Sequence, residues 1–310
     1  MIEIKRILCP IDFSEFSGRA LDYAVALAGW YEARVTALHV YTEWPNFGML
    51  PAIEANALAQ LRSTAADREA GRQHMRTFAD CHARSDVQID ISLQESPNLH
   101  REILAQAETL PADLLVVGSH GRSGFEHLLL GSITEKVLRK ARCPVMVVPP
   151  HASEVGLAHV VHLQHILCPV DFSEGSLAAV TLALSLAEEA DAHLTLLHVE
   201  DILRDLQALA EHTAPGEIDV VALRAESRAT CLRRLLGLVP DSVKTFCTVD
   251  TEVSDGRASH GILRAAADRT SDLIVMGVQG RGAVNMALFG SNTHEVIRAA
   301  TCPVLTIRGA

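Results

Sequence analysis

The sequence predicts an α/β protein built from two tandem, doubly wound open sheets, each with five parallel strands and with helices on both faces. Three observations support this fold class. Short apolar segments alternate with segments of helical periodicity, and the same order of elements occurs twice in 310 residues. The apolar segments are also nearly continuous, as expected for parallel strands covered on both faces. Right-handed crossovers then make each half an open, doubly wound sheet.

The strands and helices of the first half follow from its apolar periodicity. Strands are predicted at residues 4–9, 34–41, 87–93, 114–117 and 145–148, and helices at 14–31, 54–80, 99–109 and 131–140. Ser14 is the expected N-cap of the first helix, with Ser17 as the alternative, and Pro10 stops the first strand. The second half repeats this order, with strands predicted near residues 164–168, 193–199, 243–249, 273–276 and 304–307.

A long internal repeat defines the domain organisation. The segment ILCPIDFSE at residues 7–15 recurs as ILCPVDFSE at 166–174, an offset of 159 residues, and LHV and CPV segments recur at the same offset. A period of this length is far too long for a solenoid repeat, so each copy is expected to be a complete domain. We predict a first domain at residues 1–150, a linker at 151–162 and a second domain at 163–310.

Composition argues against several classes of function. The chain has 27 basic and 38 acidic residues, and its net charge of −11 repels nucleic acids and anionic membrane surfaces. Aromatic residues are only 4% of the chain, too few for platforms that stack on single strands. No apolar run reaches the roughly 18–20 residues of a membrane span, and we expect no signal peptide. Seven scattered cysteines without a C-x-x-C pair fit reduced thiols in a cytoplasmic protein.

Each half carries a set of glycines that favours anion binding. In the first half Gly118 and Gly121 follow a predicted strand and Gly131-Ser132 opens a helix, which gives the spacing Gly-x2-Gly-x9-Gly-Ser. The second half has the same spacing, at Gly277, Gly280, Gly290 and Ser291. Glycine lets backbone N–H groups approach a phosphate closely, and a helix N-terminus adds donors and a favourable dipole. The alternative is structural, because glycines also end strands and cap helices.

Charged residues accompany these glycines. Asp12 and its counterpart Asp171 follow a strand near the expected reversal of strand order. Each of them either accepts a hydrogen bond from a ligand, contacts a metal, or caps the helix that follows. Arg122 and Arg281 lie beside the glycines, where they either neutralise phosphate charge or are solvated.

The histidines and cysteines are expected to be structural. His159, His162 and His165 would not share one face of an extended segment, and no cysteine or carboxylate completes a ligand set, so no metal site is predicted. His39 and His198 lie inside strands and are expected to be packed or hydrogen-bonded. Cys9 and Cys168 are expected to be buried.

The chain resembles the universal stress protein family in its tandem form, with two such domains. The resemblance covers nearly the whole chain and is carried by the glycine spacing, the CP(I/V)DFS start, the LHV strand and the CPV end of each half. It implies an adenine nucleotide alpha hydrolase-like, Rossmann-like fold and binding of ATP, or of ADP or AMP, with Mg²⁺ carried on the phosphates. It also implies that the last strands of the two halves pair within the molecule, and it leaves a homodimer open.

The same resemblance assigns site residues by matching positions. Asp12 and Asp171 would lie at the adenosine, and the backbone of Val40 and Val199 would meet the adenine edge. The phosphates would be held by the two glycine sets, with Arg122 and Arg281 as neighbouring cations; these sets are Gly118, Gly121, Gly131 and Ser132, and Gly277, Gly280, Gly290 and Ser291. Val278-Gln279 replaces Ser119-His120 in the second half, so we expect sites of unequal affinity.

The expected function is that of an ATP-binding stress-response protein whose nucleotide acts as a signal or a stabilising ligand. No catalytic residue is predicted, because the sequence shows no general base, arginine finger or substrate site beside the glycines. Two alternatives stay open: a slow ATPase or phosphotransferase, and a nucleotide-free scaffold or chaperone-like protein. Rapid turnover would indicate the first alternative, and the absence of co-purified nucleotide the second.

Overall fold

The computed structural model describes residues 3–42, 65–121, 130–150, 152, 163–200, 220–278 and 290–309. The chain divides into two compact units, centred on Glu3–Pro150 and on His162–Ala310. The described strands and helices of the first unit are β1 (Arg6–Pro10), α1 (Glu15–Tyr31), β2 (Arg34–Tyr41), α2 (Ala65–Asp80), β3 (Ile89–Glu95), α3 (Leu99–Thr109), β4 (Leu114–Gly118), α4 (Ser132–Lys140) and β5 (Val145–Val148). Those of the second unit are β6 (His165–Pro169), α5 (Glu174–Ala190), β7 (His193–Glu200), α6 (Val220–Leu236), β8 (Val249–Asp255), α7 (Ala258–Asp268), β9 (Leu273–Gly277), α8 (Ser291–Ala299) and β10 (Val304–Ile307).

Each unit contains one open sheet of five parallel strands. The order in the first unit is β3-β2-β1-β4-β5. The second unit has the equivalent order β8-β7-β6-β9-β10. In the first unit α1 packs on the central strands, whereas α3 packs on β2 and on α4. The predicted α/β fold class, a doubly wound parallel sheet in each half, is confirmed.

The first helix of each unit is bounded by matching caps. Ser14 accepts a hydrogen bond from the Ser17 N–H and is the N-cap of α1, as predicted, while Glu32 ends the helix in the left-handed conformation at φ 49°. Ser173 and Asp191 do the same for α5, with φ 50° at Asp191. A serine N-cap and a left-handed C-terminal residue are typical helix boundaries.

Aspartate side chains fix where the central strands start. One oxygen of Asp113, just before β4, accepts hydrogen bonds from the Lys5 and Arg6 N–H groups, both at 2.9 Å. Asp272 does the same before β9, for Gln164 and His165. The first and fourth strands of each unit are therefore held in register at their amino ends, which sets the relative positions of their carboxyl ends.

The sheets form the cores of the two units. Cys9 in β1 and Cys168 in β6 are both fully buried, which confirms the prediction for these thiols. Burial raises the pKa of both, because a thiolate would lose its hydration there. Across the described helices, none is long and apolar enough to cross a membrane.

Several element predictions differ from the structure. The strand predicted near 243–249 is wrong: Val243–Thr245 forms a 3₁₀ turn whose first N–H bonds the Pro240 carbonyl, and the strand lies at Val249–Asp255. The β3 strand lies two residues later than the predicted 87–93, at Ile89–Glu95. Of the helix predicted at 54–80, residues 65–80 are helical and 54–64 lie outside the described residues.

Candidate functional site

The strand order reverses beside the first strand of each unit, where β1 lies between β2 and β4 and where β6 lies between β7 and β9. In open α/β sheets the connections diverge at this point and leave a crevice at the carboxyl ends of the strands. Asp12 follows β1, Gly121 follows β4, and the structure brings them together. A Cβ on Gly121 would lie 2.8 Å from Asp12 Oδ2. The predicted aspartate and the predicted glycine segment therefore lie side by side at the carboxyl edge of the first sheet, where such a crevice is expected.

The start of α1 holds Asp12 in place. Its Oδ1 accepts hydrogen bonds from the Ser14 N–H at 3.0 Å and from the Ser14 hydroxyl at 2.5 Å. Asp171 makes the same two contacts with Ser173, also at 3.0 and 2.5 Å. Asp12 therefore contacts the N-cap serine and is not itself the N-cap, which was the alternative that the sequence left open. Its Oδ2 is the oxygen next to Gly121.

The residue after each aspartate has a left-handed backbone, with φ 64° at Phe13 and 62° at Phe172. This conformation costs a bulky residue roughly 1–2 kcal/mol, so neighbouring contacts must hold it. The Phe13 ring stacks on the His74 ring, with centroids 4.2 Å apart and planes 8° from parallel. The Arg234 guanidinium lies 3.7 Å from the Phe172 ring centroid in a cation–π contact. The sequence analysis did not predict this strained turn, although the repeated Asp-Phe-Ser segment marks its position in both halves.

A histidine of the second strand braces the carbonyl that precedes each aspartate. His39 Nδ1 lies 2.7 Å from the Ile11 carbonyl oxygen, and His198 Nδ1 lies 2.6 Å from that of Val170. Because a carbonyl only accepts, Nδ1 is the protonated nitrogen in both rings. The prediction that these histidines are packed and hydrogen-bonded is confirmed.

The backbone of Val40 faces the crevice side of its strand. The Leu38 carbonyl accepts from the Ile11 N–H at 2.7 Å, so Leu38 directs its backbone groups toward β1. Backbone directions alternate along a strand, and Val40, two residues further, directs its N–H and C=O to the same side, beyond the end of β1. Val199 has the same orientation, because the Leu197 carbonyl accepts from Val170 at 2.7 Å. Each valine can thus offer one donor and one acceptor to a flat polar edge.

Gly118 and Gly277 allow a close approach between strand and helix backbones. A Cβ on Gly118 would lie 3.0 Å from the Phe16 carbonyl oxygen, and one on Gly277 would lie 2.6 Å from the Gly175 carbonyl carbon. Neither glycine has a positive φ. Close packing at the first turns of α1 and α5 therefore accounts for these two glycines. Their assignment to a phosphate stays a prediction.

The glycine before α4 and the one before α8 mark helix N-termini that carry no side-chain cap. Gly131 precedes α4 and Gly290 precedes α8, and neither N-terminus has a side-chain capping hydrogen bond. The Gly131 N–H donates to the Ser119 carbonyl at 2.8 Å, and the Gly290 N–H to that of Val278 at 3.1 Å. The N–H groups of the next residues in each helix have no intrahelical partner and point out of its end, where an anion would meet them.

A threonine in the first turn of each of these helices ties it to the neighbouring strand. Thr134 Oγ1 donates to the Gly118 carbonyl at 2.9 Å, and Thr293 Oγ1 donates to the Gly277 carbonyl at 3.2 Å. Both side chains are buried. This contact fixes the helix N-terminus against the end of the strand. Sequence reasoning missed it, although a threonine stands two residues after the Gly-Ser pair in both halves.

The model of the universal stress protein family matches this chain twice, at residues 3–149 and at residues 162–308. The two matches together cover nearly all of the 310 residues. The chain belongs to the universal stress protein family. It is a tandem member, with one family domain in each half, and this confirms the resemblance noted in the sequence.

Relatives and solved structures agree with that assignment. A universal stress protein of Mycolicibacterium smegmatis is 28% identical over 313 residues, which cover 97% of this chain and 96% of the relative. A universal stress protein of Methanocaldococcus jannaschii is 31% identical over 144 residues, 46% of this chain and 81% of the relative. The crystal structure of a universal stress protein from Archaeoglobus fulgidus shares the fold, with a TM-score of 0.63, 19% identity and 98% of both chains covered.

Some predicted residues of this universal stress protein lie outside the described part of the chain: Arg122, Gly280 and Arg281. Ser132 and Ser291 are exposed at the first positions of α4 and α8. The described residues contain no group of three or more His, Cys, Asp or Glu side chains placed to hold a metal ion.

The charge at the carboxyl edge differs between the two units. Arg308 follows β10, where the first unit has Pro149 after β5. Partial burial lowers the pKa of the Arg308 guanidinium, which nevertheless stays a cation at neutral pH because arginine titrates far above it. The edge of the second sheet therefore carries a cation that the sequence analysis did not single out.

Proposed function

We propose that each unit binds ATP, or ADP or AMP, in the crevice at the carboxyl edge of its sheet. The observation that carries this proposal is the pair of helix N-termini without side-chain caps, at Gly131 and Gly290. In the first unit the segment between β4 and α4 also meets a carboxylate, at the 2.8 Å approach of Asp12 to Gly121. A phosphate-sized anion and a ligand hydroxyl are the groups that such a crevice suits.

The parts of the crevice match the parts of an adenine nucleotide. The N–H groups at the start of α4 would donate to phosphate oxygens, since an anion there is favoured by the helix dipole. Asp12 would accept a hydrogen bond from a ribose hydroxyl, because an ionised carboxylate only accepts. The Val40 N–H and C=O would pair with the donor and acceptor on the adenine edge. Val199 and Asp171 offer the same groups in the second unit.

Magnesium would reach this site with the nucleotide. Since no metal-binding group of protein side chains is present among the described residues, the phosphates would supply its principal ligands. When bound, Mg²⁺ neutralises phosphate charge. The protein's own contribution is to orient the phosphates through the N-terminus of α4 and to orient the sugar through Asp12.

Bound nucleotide would act by linkage rather than by turnover. A ligand that binds only the folded state stabilises it by RT ln(1 + [L]/Kd), about 2.7 kcal/mol when its concentration is 100 times Kd. It can also shift the protein between conformations that present different partner-binding surfaces. We infer a role in the stress response, in which nucleotide level sets the stability or the state of the protein.

The proposal is tested by the nucleotide content of the purified protein. The protein is denatured, and any released nucleotide is identified by chromatography. Refolded or nucleotide-free protein, shown by circular dichroism to be folded, is then titrated calorimetrically with ATP, with GTP as the control for base recognition. We expect two ATP equivalents per chain and weaker GTP binding. Folded protein that binds no adenine nucleotide would refute the proposal, and turnover above about 1 per second would place the protein among enzymes.

A further inference from the structure

His120, in the segment between β4 and α4, has a buried ring nitrogen without a partner. Across the described residues, Nε2 of His120 is one of few buried side-chain polar atoms that make no hydrogen bond. A buried polar atom is normally satisfied, because leaving it unpaired forfeits its hydration without replacement. An exception at the edge of a ligand crevice points to a partner that the protein chain itself does not supply.

The hydrogen bond at the other ring nitrogen identifies what Nε2 lacks. Ser119 is 2% exposed, and its Oγ lies 2.9 Å from His120 Nδ1. In the tautomer that this inference uses, the Ser119 hydroxyl donates to Nδ1 and the neutral ring carries its proton on Nε2. The unpartnered atom is then a donor, and the partner it lacks is an acceptor.

The backbone of His120 lies beside the N-terminus of α4. The Cα of His120 lies 3.7 Å from where a Cβ on Gly131 would be. The Gly131 N–H donates to the Ser119 carbonyl at 2.8 Å, so residues 119–120 pack directly against the start of the helix. The helix start has no side-chain cap. An anion bound there would meet the helix N–H groups next to the backbone of His120.

We propose that His120 Nε2–H donates a hydrogen bond to a phosphate oxygen of the nucleotide in the first unit and makes that site selective for phosphorylated ligands. This inference rests on the proposed function. The corresponding residue in the second half is Gln279, and the buried Val278 replaces Ser119. The second unit therefore lacks both the imidazole and the hydroxyl that sets its tautomer. The difference between ATP and adenosine affinity is larger in the first unit than in the second.

The direct test is nitrogen NMR of protein labelled with ¹⁵N-histidine. The His120 signals are assigned by their absence in His120→Gln. We expect the Nε2–H tautomer in nucleotide-free protein, and we expect ATP to shift Nε2 while adenosine leaves it in place. Inorganic phosphate alone serves as the probe for an anion site independent of the base. A shift with phosphate but not with ATP would assign the site to free phosphate and overturn the proposal.

Affinity measurements supply the second test. In His120→Gln, and in the double variant Ser119→Val with His120→Gln that copies the second half, ATP affinity at one of two sites falls about 10-fold. Adenosine affinity stays within twofold. The matched control His260→Gln changes a histidine that is 68% exposed on α7 and leaves both affinities unchanged.

The outcomes separate this inference from the proposed function. ATP binding with two equivalents, an unmoved Nε2 signal and unchanged ATP affinity in His120→Gln would overturn the role of His120 and leave the proposed function standing. Equal losses for ATP and adenosine would show that His120 only shapes the segment, which also overturns the inference. Absence of ATP binding in folded wild-type protein would overturn both. The NMR test uses wild-type protein and holds even where a variant is destabilised.

Discussion

Replacing Gly277 by alanine tests how closely the end of β9 packs on the first turn of α5. The added Cβ would lie 2.6 Å from the Gly175 carbonyl carbon, 2.8 Å from the Ser176 nitrogen and 2.9 Å from the Gly175 oxygen. All three atoms belong to the backbone, so no side-chain rotation relieves the overlap. The N-terminus of α5 has to move away from the sheet, and the contacts of its first turn are lost.

The size of the effect follows from these distances and from the matching position in the first unit. Overpacking that shifts the backbone destabilises the folded state by about 1–3 kcal/mol. Replacing glycine by alanine also lowers the entropy of the unfolded chain, which stabilises the fold by about 0.4–1 kcal/mol. At Gly118 the shortest contacts are 3.0 and 3.2 Å, which displacements of a few tenths of an ångström relieve. We expect Gly277→Ala to destabilise its unit by about 2 kcal/mol and Gly118→Ala by less than about 1 kcal/mol.

Thermal unfolding in the absence of nucleotide provides the assay. A loss of about 2 kcal/mol lowers Tm by roughly 4–8 °C for a domain of this size. Gly237→Ala is the control in the same unit, because its Cβ would meet only ordinary contacts of 3.4 Å, and we expect it to stay within about 1 °C of wild type. If Gly277→Ala and Gly237→Ala have the same Tm, the close approach of β9 and α5 does not explain why residue 277 is glycine.

Two further predictions concern the crevice and the thiols. Gly121→Val places its Cβ 2.8 Å from Asp12 Oδ2, so we expect loss of one ATP equivalent in calorimetry with an unchanged circular dichroism spectrum; retention of both equivalents would contradict the site. Burial raises the pKa of Cys143 to about 11 and that of Cys302 to about 12, so both thiols stay protonated and unreactive at pH 8. A disulfide reagent should therefore label the exposed Cys81 at least about 100-fold faster than either, and equal rates would show that the fold does not protect them.

Periodicity predicted the arrangement of elements well because each half has long, strongly patterned segments. The helix at residues 99–109 and the strand at Val145–Val148 lie where they were predicted. The largest exception is the third strand of the second unit. Pro240 and Val243 start a tight turn there, and the apolar spacing that suggested a strand belongs to side chains buried under it, including Val243 and Cys247. Apolar spacing shows burial, and burial alone does not distinguish a turn from a strand.

The candidate site was predictable in its location and less so in the function of each residue. The repeat and the strand order placed Asp12, Val40 and the glycines at one edge. The structure shows that Gly118 serves helix packing, whereas Gly131 starts a helix that no side chain caps. These roles depend on distances between segments far apart in sequence, and no local pattern contains them. The Thr134 contact with the Gly118 carbonyl was missed for the same reason.

The aspartates are placed by a strained turn that both units share. At Phe13 and Phe172 the left-handed backbone turns the chain sharply after the strand, so that the next serine reaches the aspartate's Oδ1. Glycine would adopt this φ without strain, and phenylalanine costs roughly 1–2 kcal/mol more. The ring therefore has to stabilise the turn in another way. Its contacts do so, with an imidazole in the first unit and a guanidinium in the second.

The two units consequently share a polar frame and differ in what surrounds it. The frame consists of the aspartate turn, the histidine that braces it, and the helix start tied to the fourth strand. Three differences lie close to this frame: His74 against Arg234 at the aromatic ring, His120 against Gln279 in the glycine segment, and Pro149 against Arg308 after the last strand. In the proposed function the nucleotide contacts only these shared groups. Substitutions around them would then change affinity and selectivity, so we expect two sites of unequal affinity.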